Sequence, residues 1–286
     1  IAAFSGGKDS LALLADLLEY QSGKQWQLAA CHVNHQLRAD EAGRDEQFCC
    51  EWCAEHGVTY FSKTETVTDK GRGVESAARD VRYKLLDECA EEWGADFIVT
   101  AHTASDQMES FFVDLVTGVA VFTLGGISVQ NGRYIRPMLE ISTEMVNDYL
   151  AKKGLEPVYD SSNSDLRYVR NFVREKLMPL LEDNTQLRAS ISRIQEESCI
   201  LNAYFTKLTE DFAYCPPEGG VVIDREHLNT AEPMLQHYIL GKWISQLARG
   251  GTVHINAVLK QMQQKRSARI DLPQSFYCEI TPRRVR

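Results

Sequence analysis

The sequence has no run near the roughly 18 consecutive apolar residues that a membrane-crossing helix needs, and no leader of basic, apolar and small-residue regions opens it. Positive charge is also scarce: 31 Lys and Arg stand against 40 Asp and Glu, for a net charge of −9. That balance argues against indiscriminate nucleic-acid binding, because phosphate contacts need Lys and Arg, although a local patch is compatible with it. Disulfide-framework spacing is missing as well. Eight cysteines (Cys31, Cys49, Cys50, Cys53, Cys89, Cys199, Cys215 and Cys278) are scattered through 286 residues, a usage that fits a reducing cytoplasm. Cys50 and Cys53 form the one close pair. They fall within a helical pattern and lack the second pair that a tetrahedral zinc site requires, so they read as half-buried helix cysteines, with a redox or iron–sulfur role as the alternative. No internal repeat and no low-complexity segment appears. Without an initiator Met the chain begins inside a strand pattern, and a few further upstream residues are expected.

What is present is 44% hydrophobic and 25% charged, the composition of one large domain with a smaller one beside it. The opening, Ile1-Ala2-Ala3-Phe4-Ser5-Gly6-Gly7-Lys8-Asp9-Ser10, is a short apolar strand running into a glycine turn. Leu11, Leu13, Leu14, Leu17 and Leu18 follow at helical spacing, which puts Asp9 and Ser10 at a helix N-terminus. Unpaired N–H groups and the positive end of the helix dipole favour an anion there. Gly6 and Gly7 let the backbone approach phosphate oxygens, Ser5 and Ser10 add hydroxyls, and Lys8 adds a mobile cation. Asp9 is the exception. A carboxylate beside phosphates repels them unless a divalent cation lies between, which makes Asp9 a candidate Mg²⁺ ligand. The glycine of a Walker A loop is missing upstream, and Asp9 stands where that loop needs Ser or Thr.

Strand patterns near 1–4, 28–33, 59–64 and 97–101 alternate with helical patterns near 10–20, 40–56 and 75–93. This predicts an α/β fold with a doubly wound parallel sheet, in which ligands collect beyond the carboxyl ends of the strands. From about Asp183 the texture turns to long helical patterns, 183–208 and 232–249, closing on a strand and turn at 268–273. The expected division is a catalytic domain over 1–182 and a second, smaller, mainly helical domain over 183–286.

The loop Ser5-Gly6-Gly7-Lys8-Asp9-Ser10 resembles that of the N-type ATP pyrophosphatases, the PP-loop superfamily. Three further stretches narrow the likeness: Cys31-His32-Val33-Asn34-His35-Gln36-Leu37-Arg38, then Glu75-Ser76-Ala77-Ala78-Arg79-Asp80-Val81-Arg82-Tyr83, then 160–165 with Arg167-Tyr168-Val169-Arg170-Asn171-Phe172-Val173-Arg174. In this order they resemble the tRNA(Ile)-lysidine synthetases, closely over residues 1–182 and more loosely beyond. The resemblance implies a ligase that adenylates C2 of the wobble cytidine of tRNA(Ile) with a CAU anticodon, releases pyrophosphate, and joins free L-lysine with loss of AMP. It implies ATP and Mg²⁺ as cofactors, with Asp9 and Asp106 holding the metal and Lys8 and Arg79 serving the chemistry. An ion pair on its helix is the plainer role for Arg79. His32 and His102 would join the loop in binding ATP. His35, Arg38, Glu109, Arg167, Arg170, Asn171 and Arg174 would bind substrate; the three arginines at 167, 170 and 174 share one helix face that suits an RNA backbone. His32 and His35 form a weak metal pair by spacing and have hydrogen-bonded structural roles as their plainer reading. A membrane plays no part, and homodimerisation is left open.

Two stretches depart from the family. At 103, 105 and 110 the family pattern has His, Asp and Thr where this chain has Thr103, Ser105 and Ser110, and its Arg-Gly-Ser-Gly at 117–120 is reduced here to Gly118. These losses touch charge handling. They leave open a tRNA thiolase drawing on Cys50 and Cys53, a ligase amidating a small molecule, and a catalytically weak tRNA-binding relative.

Overall fold

The computed structural model describes residues 1–21, 23–35, 39–67, 74–158, 169–181, 184–217, 219–247, 254–264 and 266–286. Contacts divide the chain into two compact units, Ile1–Gln107 with Ile127–Asp165, and Met108–Gly126 with Leu166–Arg286. Residues 182 and 183, where the sequence suggests a boundary, lie outside the described residues, as do Arg38, Arg167 and the rest of 159–168.

The first unit is built on β1 (Ala2–Ala3), α1 (Lys8–Gln21), β2 (Ala29–Asn34), α2 (Ala39–Glu55), β3 (Thr59–Thr64), α3 (Val74–Trp93) and β4 (Ile98–Val99). After the first turn of α4 (Ala104–Thr117) it resumes with β5 (Gln130–Asn131), β6 (Tyr134–Ile135) and α5 (Thr143–Lys153). The sheet runs β3-β2-β1-β4-β6-β5. Every neighbouring pair is parallel except the edge pair β5/β6. Helices cover both faces. One core joins Leu11 and Leu14 of α1, Trp52 and Cys53 of α2, and Val146 and Leu150 of α5, while the other sets Leu86, Cys89 and Ala90 of α3 against Ala29, Cys31 and Ile98. Strands buried on both sides read as apolar runs, which is why β2 opens on Ala29, Ala30 and Cys31.

The order reverses at β1, whose two neighbours β2 and β4 continue the chain in opposite directions across the sheet. A crevice opens at such a switch point, beyond the carboxyl ends of the strands, and here the loops after β1 and β4 form its rim.

The second unit holds the rest of α4, α6 (Val169–Phe172) continuing as a π-turn over Val173–Leu177, α7 (Thr185–Leu208), β7 (Ala213–Tyr214), β8 (Val222–Asp224) and α8 (Arg225–Thr230). It ends with α9 (Pro233–Leu247), α10 (Ile255–Met262), β9 (Ala268–Asp271), β10 (Tyr277–Ile280) and β11 (Arg284–Val285). Helices supply most of it, but the strands close an antiparallel sheet in the order β7-β8-β11-β10-β9, of which the sequence signalled only β9 and its turn. Arg225 locks this sheet: its buried guanidinium donates to the carbonyls of Thr281, Met262 and Gln264. Gly118, the glycine kept where the family motif is otherwise lost, ends α4 at φ 71°, and its neighbour Val119 donates back to Asp114 O. A helix end needs a left-handed residue there, so this glycine has a backbone reason to stay.

Candidate active site

The glycine turn after β1 is held by short polar contacts. Ser5 N donates to Ser10 Oγ at 3.2 Å, Ser10 Oγ donates to Gly7 O at 2.9 Å, and the two hydroxyls lie 3.0 Å apart. Gly6 takes φ 81° and has little room for a side chain: a Cβ there would lie 3.1 Å from Phe48 Cδ1 and 3.3 Å from Cys49 Sγ. Gly6→Ala is therefore expected to cost about 1–3 kcal/mol from left-handed strain and crowding, and to weaken nucleotide binding by shifting the loop. Denaturant melts and a binding titration check both; an alanine variant with wild-type stability would show that the turn tolerates a side chain.

Beyond the turn lies a cavity of about 530 Å³ at the switch point. The loop contributes Ser5, Gly7, Lys8, Asp9 and Ser10 to its wall, and α3 contributes Arg79, Arg82 and Tyr83. His102 and Asp106 complete it from the segment after β4. Candidates drawn from three separate stretches of sequence thus meet around one space.

Lys8 Nζ and Asp9 Oδ1 are paired at 2.9 Å, both part-exposed at the start of α1. Asp106 sits in the first turn of α4, where one of its oxygens accepts from Thr103 N at 2.8 Å and Thr103 Oγ1 at 3.1 Å. This is a capping pair, so Thr103, the residue replacing the family's histidine, serves the fold of the helix start. No hydrogen bond to the second oxygen of the carboxylate is present among the described residues. Next to it, the Gln107 amide grips Ile127 from both sides, accepting from its N–H and donating to its carbonyl at 2.7 Å each, and so pins the turn that carries Asp106.

Among the described residues, no three His, Cys, Asp or Glu side chains converge on a metal site. Two carboxylates and two hydroxyls around one cavity are hard oxygen donors, the set that suits Mg²⁺ when phosphates and water supply the remaining ligands.

His102 Nδ1 lies 2.9 Å from Thr100 Oγ1. Burial lowers its imidazole to about 4; the Asp106 carboxylate opposes this, and the guanidinium groups of Arg136, Arg79 and Arg82 reinforce it. A group with a depressed pKa favours the fold above its ordinary value of 6.5 and loses that contribution as pH falls toward 4. His102→Gln is accordingly expected to flatten the loss of stability between pH 6.5 and 4, read from denaturant midpoints across that window; an unchanged slope would remove His102 from the acid response.

His32 and His35 do not appear in the cavity wall. His32 is buried with Nδ1 3.0 Å from Phe4 O, beneath the loop, and burial lowers its pKa. His35 has both ring nitrogens buried without a hydrogen-bond partner among the described residues, and burial first, then the charge of Arg82, lowers it to about 4.

Glu109, Arg170 and Arg174 meet within the second unit. Glu109 is 4% exposed, with Arg170 Nε 2.5 Å from one oxygen and Arg174 Nε donating to the other at 2.7 Å. The π-turn brings the second arginine around to the same carboxylate. Asn171 lies between them on the same turn of chain. Thr117, standing where the family has arginine, turns its hydroxyl back onto the carbonyls of Val113 and Asp114. Cys53 is buried, its thiol pushed up to about 12 by burial and by the charge of Cys50.

Three residues of this region have no role in the sequence reading. Arg82 and Tyr83 line the cavity one helical turn beyond Arg79; they belong to the stretch 75–83 that carries the resemblance, and the helical spacing of 79, 82 and 83 puts them on one face. Arg136 on the segment after β6 is buried at 5% and had no sequence signal.

A doubly wound α/β fold with a glycine turn and helix N-terminus at its switch point is a phosphate-binding architecture. A profile of the PP-loop domain matches residues 1–181, and the chain belongs to that family. The relatives it matches carry the name tRNA(Ile)-lysidine synthase. That of Bacteroides thetaiotaomicron is 37% identical over 187 residues, 64% of this chain and 43% of the relative. That of Clostridium acetobutylicum is 30% identical over 249 residues, 84% of this chain and 54% of the relative. The chain thus spans about half the length of the curated relatives it matches. In fold it is similar to the U34-tRNA thiolase NcsA from Methanococcus maripaludis, solved with its [4Fe-4S] cluster, with a TM-score of 0.57 and 22% identity over 68% of this chain and 70% of that one.

Proposed function

We propose that this protein is an ATP-dependent tRNA-modifying ligase of the lysidine-forming type. The observation that carries the reading is the single cavity in which the glycine loop, Asp9, Arg79, His102 and Asp106 meet. ATP places its phosphates on the loop and the first turn of α1. Asp9 and Asp106 would hold Mg²⁺, which would supply positive charge to offset that of the pyrophosphate leaving group. Lys8 leaves Asp9 for a phosphate oxygen when nucleotide binds, because its pairing with Asp9 is part-exposed and exchanges readily. Arg79 offers a fixed guanidinium to the anion from the opposite wall.

The acceptor is the C2 oxygen of the wobble cytidine of tRNA(Ile) with a CAU anticodon, and free L-lysine displaces AMP through its deprotonated ε-amine. Arg170 and Arg174, held part-exposed on Glu109, position the RNA backbone, and the unit that bears them is the tRNA-binding part of the chain. His32 supports the loop from below, and His35 with Arg38 and Arg167 serves the substrate side. The buried, proton-bound thiol of Cys53 gives a sulfur-transfer reading no support.

The test is incubation with ATP, radiolabelled lysine and an isoleucine tRNA with a CAU anticodon. Label in RNA with AMP released in equal amount is expected. AMP release driven by sulfide instead, or turnover with an amine and no RNA, would replace this reading, and RNA binding with no pyrophosphate from any amine would end it.

A further inference from the structure

The α3 wall of the cavity is organised around one phenol. Arg79 Nη2 donates to Tyr83 Oη at 3.2 Å, and its guanidinium carbon stands 4.9 Å from the centre of the Tyr83 ring. Arg136 Nη2 donates to the same oxygen at 3.5 Å. The ring itself is fixed from behind: Tyr134 packs on it at 4.8 Å between centroids, and Tyr134 Oη donates to Tyr83 O at 3.1 Å. One phenol oxygen therefore accepts from two cations, which leaves its own O–H as a donor.

Arg136 makes the arrangement pointed. It is 5% exposed and Nη1 donates to Ser128 O at 2.9 Å, while among the described residues Nε has no hydrogen-bond partner and no carboxylate pairs with the group. A buried cation without a counter-ion is costly unless an anion nearby repays it. Arg79 likewise finds Tyr83, and no acid, as its partner among the described residues. An acid in that place would cancel the charge; a neutral phenol holds the guanidinium still and leaves its charge to act on the cavity.

We propose that Tyr83 is a positioning residue of this site, fixing the Arg79 guanidinium toward an anionic nucleotide, with buried Arg136 as the second cation on the same oxygen. The inference rests on the ATP reading given above. Its particular content is that Tyr83 acts through Arg79 and not through general support of α3.

Calorimetric titration of ATP with Mg²⁺ into wild type, Tyr83→Phe, Arg79→Ala and the double variant tests it. Phenylalanine keeps the ring and removes the oxygen. Tyr83→Phe is expected to weaken ATP binding about tenfold, the scale of a hydrogen bond to a charged group, and Arg79→Ala by more. The double variant is expected to bind no more weakly than Arg79→Ala alone, since two residues acting as one unit do not add. Tyr134→Phe, which removes the neighbouring hydroxyl without touching Arg79, is expected to bind within about twofold of wild type, given the modest net worth of a neutral hydrogen bond. Wild-type binding by Tyr83→Phe, losses that multiply in the double variant, or an equal loss in Tyr134→Phe would overturn the role of Tyr83 while leaving the ATP site standing. Failure of the wild type itself to bind ATP would remove both.

Discussion

Asp9→Asn is expected to reduce ATP-dependent pyrophosphate release by at least about a hundredfold, the scale of losing one preorganised charge contact at a reacting centre. The side chain sits in the first turn of α1, on the wall of the cavity, and pairs with Lys8. Asparagine keeps its size and an oxygen but loses the negative charge that a hard cation requires. Stability should barely move, because an acid in the first helical turn contributes only about 0.3–1 kcal/mol through the dipole. The measurement is pyrophosphate release against Mg²⁺ concentration, with a melting curve beside it. Normal release at ordinary Mg²⁺ would take Asp9 out of the metal site; a parallel collapse of the melting curve would make the loss one of folding.

Glu109→Gln is expected to lower stability by about 2–4 kcal/mol. Removing one partner of a buried ion pair leaves the others uncompensated, at about 3–5 kcal/mol. The lower figure applies because Arg170 and Arg174 are 30% and 38% exposed and water screens them. Urea unfolding of the two proteins at one pH reads the difference. Equal midpoints would mean that the two arginines are solvated and that Glu109 is available to a substrate. The family likeness puts Glu109 on the substrate side; in this chain its carboxylate is engaged by two guanidinium groups. A ligand amine competing for it would have to displace at least one of them.

The departures at 103 and 117–120 acquire a physical meaning from the same region. Thr103 caps the helix that carries Asp106, and Thr117 bonds to its own helix. Phe122, two residues past the family's lost motif, is buried against Phe205 and Tyr238 in the core of the second unit. A cation and a hydroxyl of the family pattern have been exchanged here for capping and packing. In the first unit the guanidinium groups of Arg79, Arg82 and Arg136 all act on His102.

Much of the first unit was legible because its signals are local. The strand at Thr59–Thr64 and the helix ending at Trp93 fall where periodicity puts them, and the glycine turn announces itself through Gly6 and Gly7. Helix α5 escaped although its signals were present: Ser142 accepts from Met145 N at the start, and Gly154 ends it in the left-handed region. Strands β5, β6, β7 and β11 are two residues each, too short to show a period of two, and are strands only because a neighbour pairs with them. Their existence is a tertiary fact.

The sequence by itself determined the doubly wound sheet and the glycine turn ahead of α1, since each is written in a run of adjacent residues whose backbone geometry is local, and it pointed to Lys8, Asp9, Arg79 and Asp106 as candidates. Only the tertiary structure decided which partner each charge would meet. Tyr83 finds Arg136 across 53 residues and Glu109 finds Arg174 across 65. No local pattern encodes such a choice, because the energy of a charge depends on burial and on neighbours that chain folding alone brings within reach.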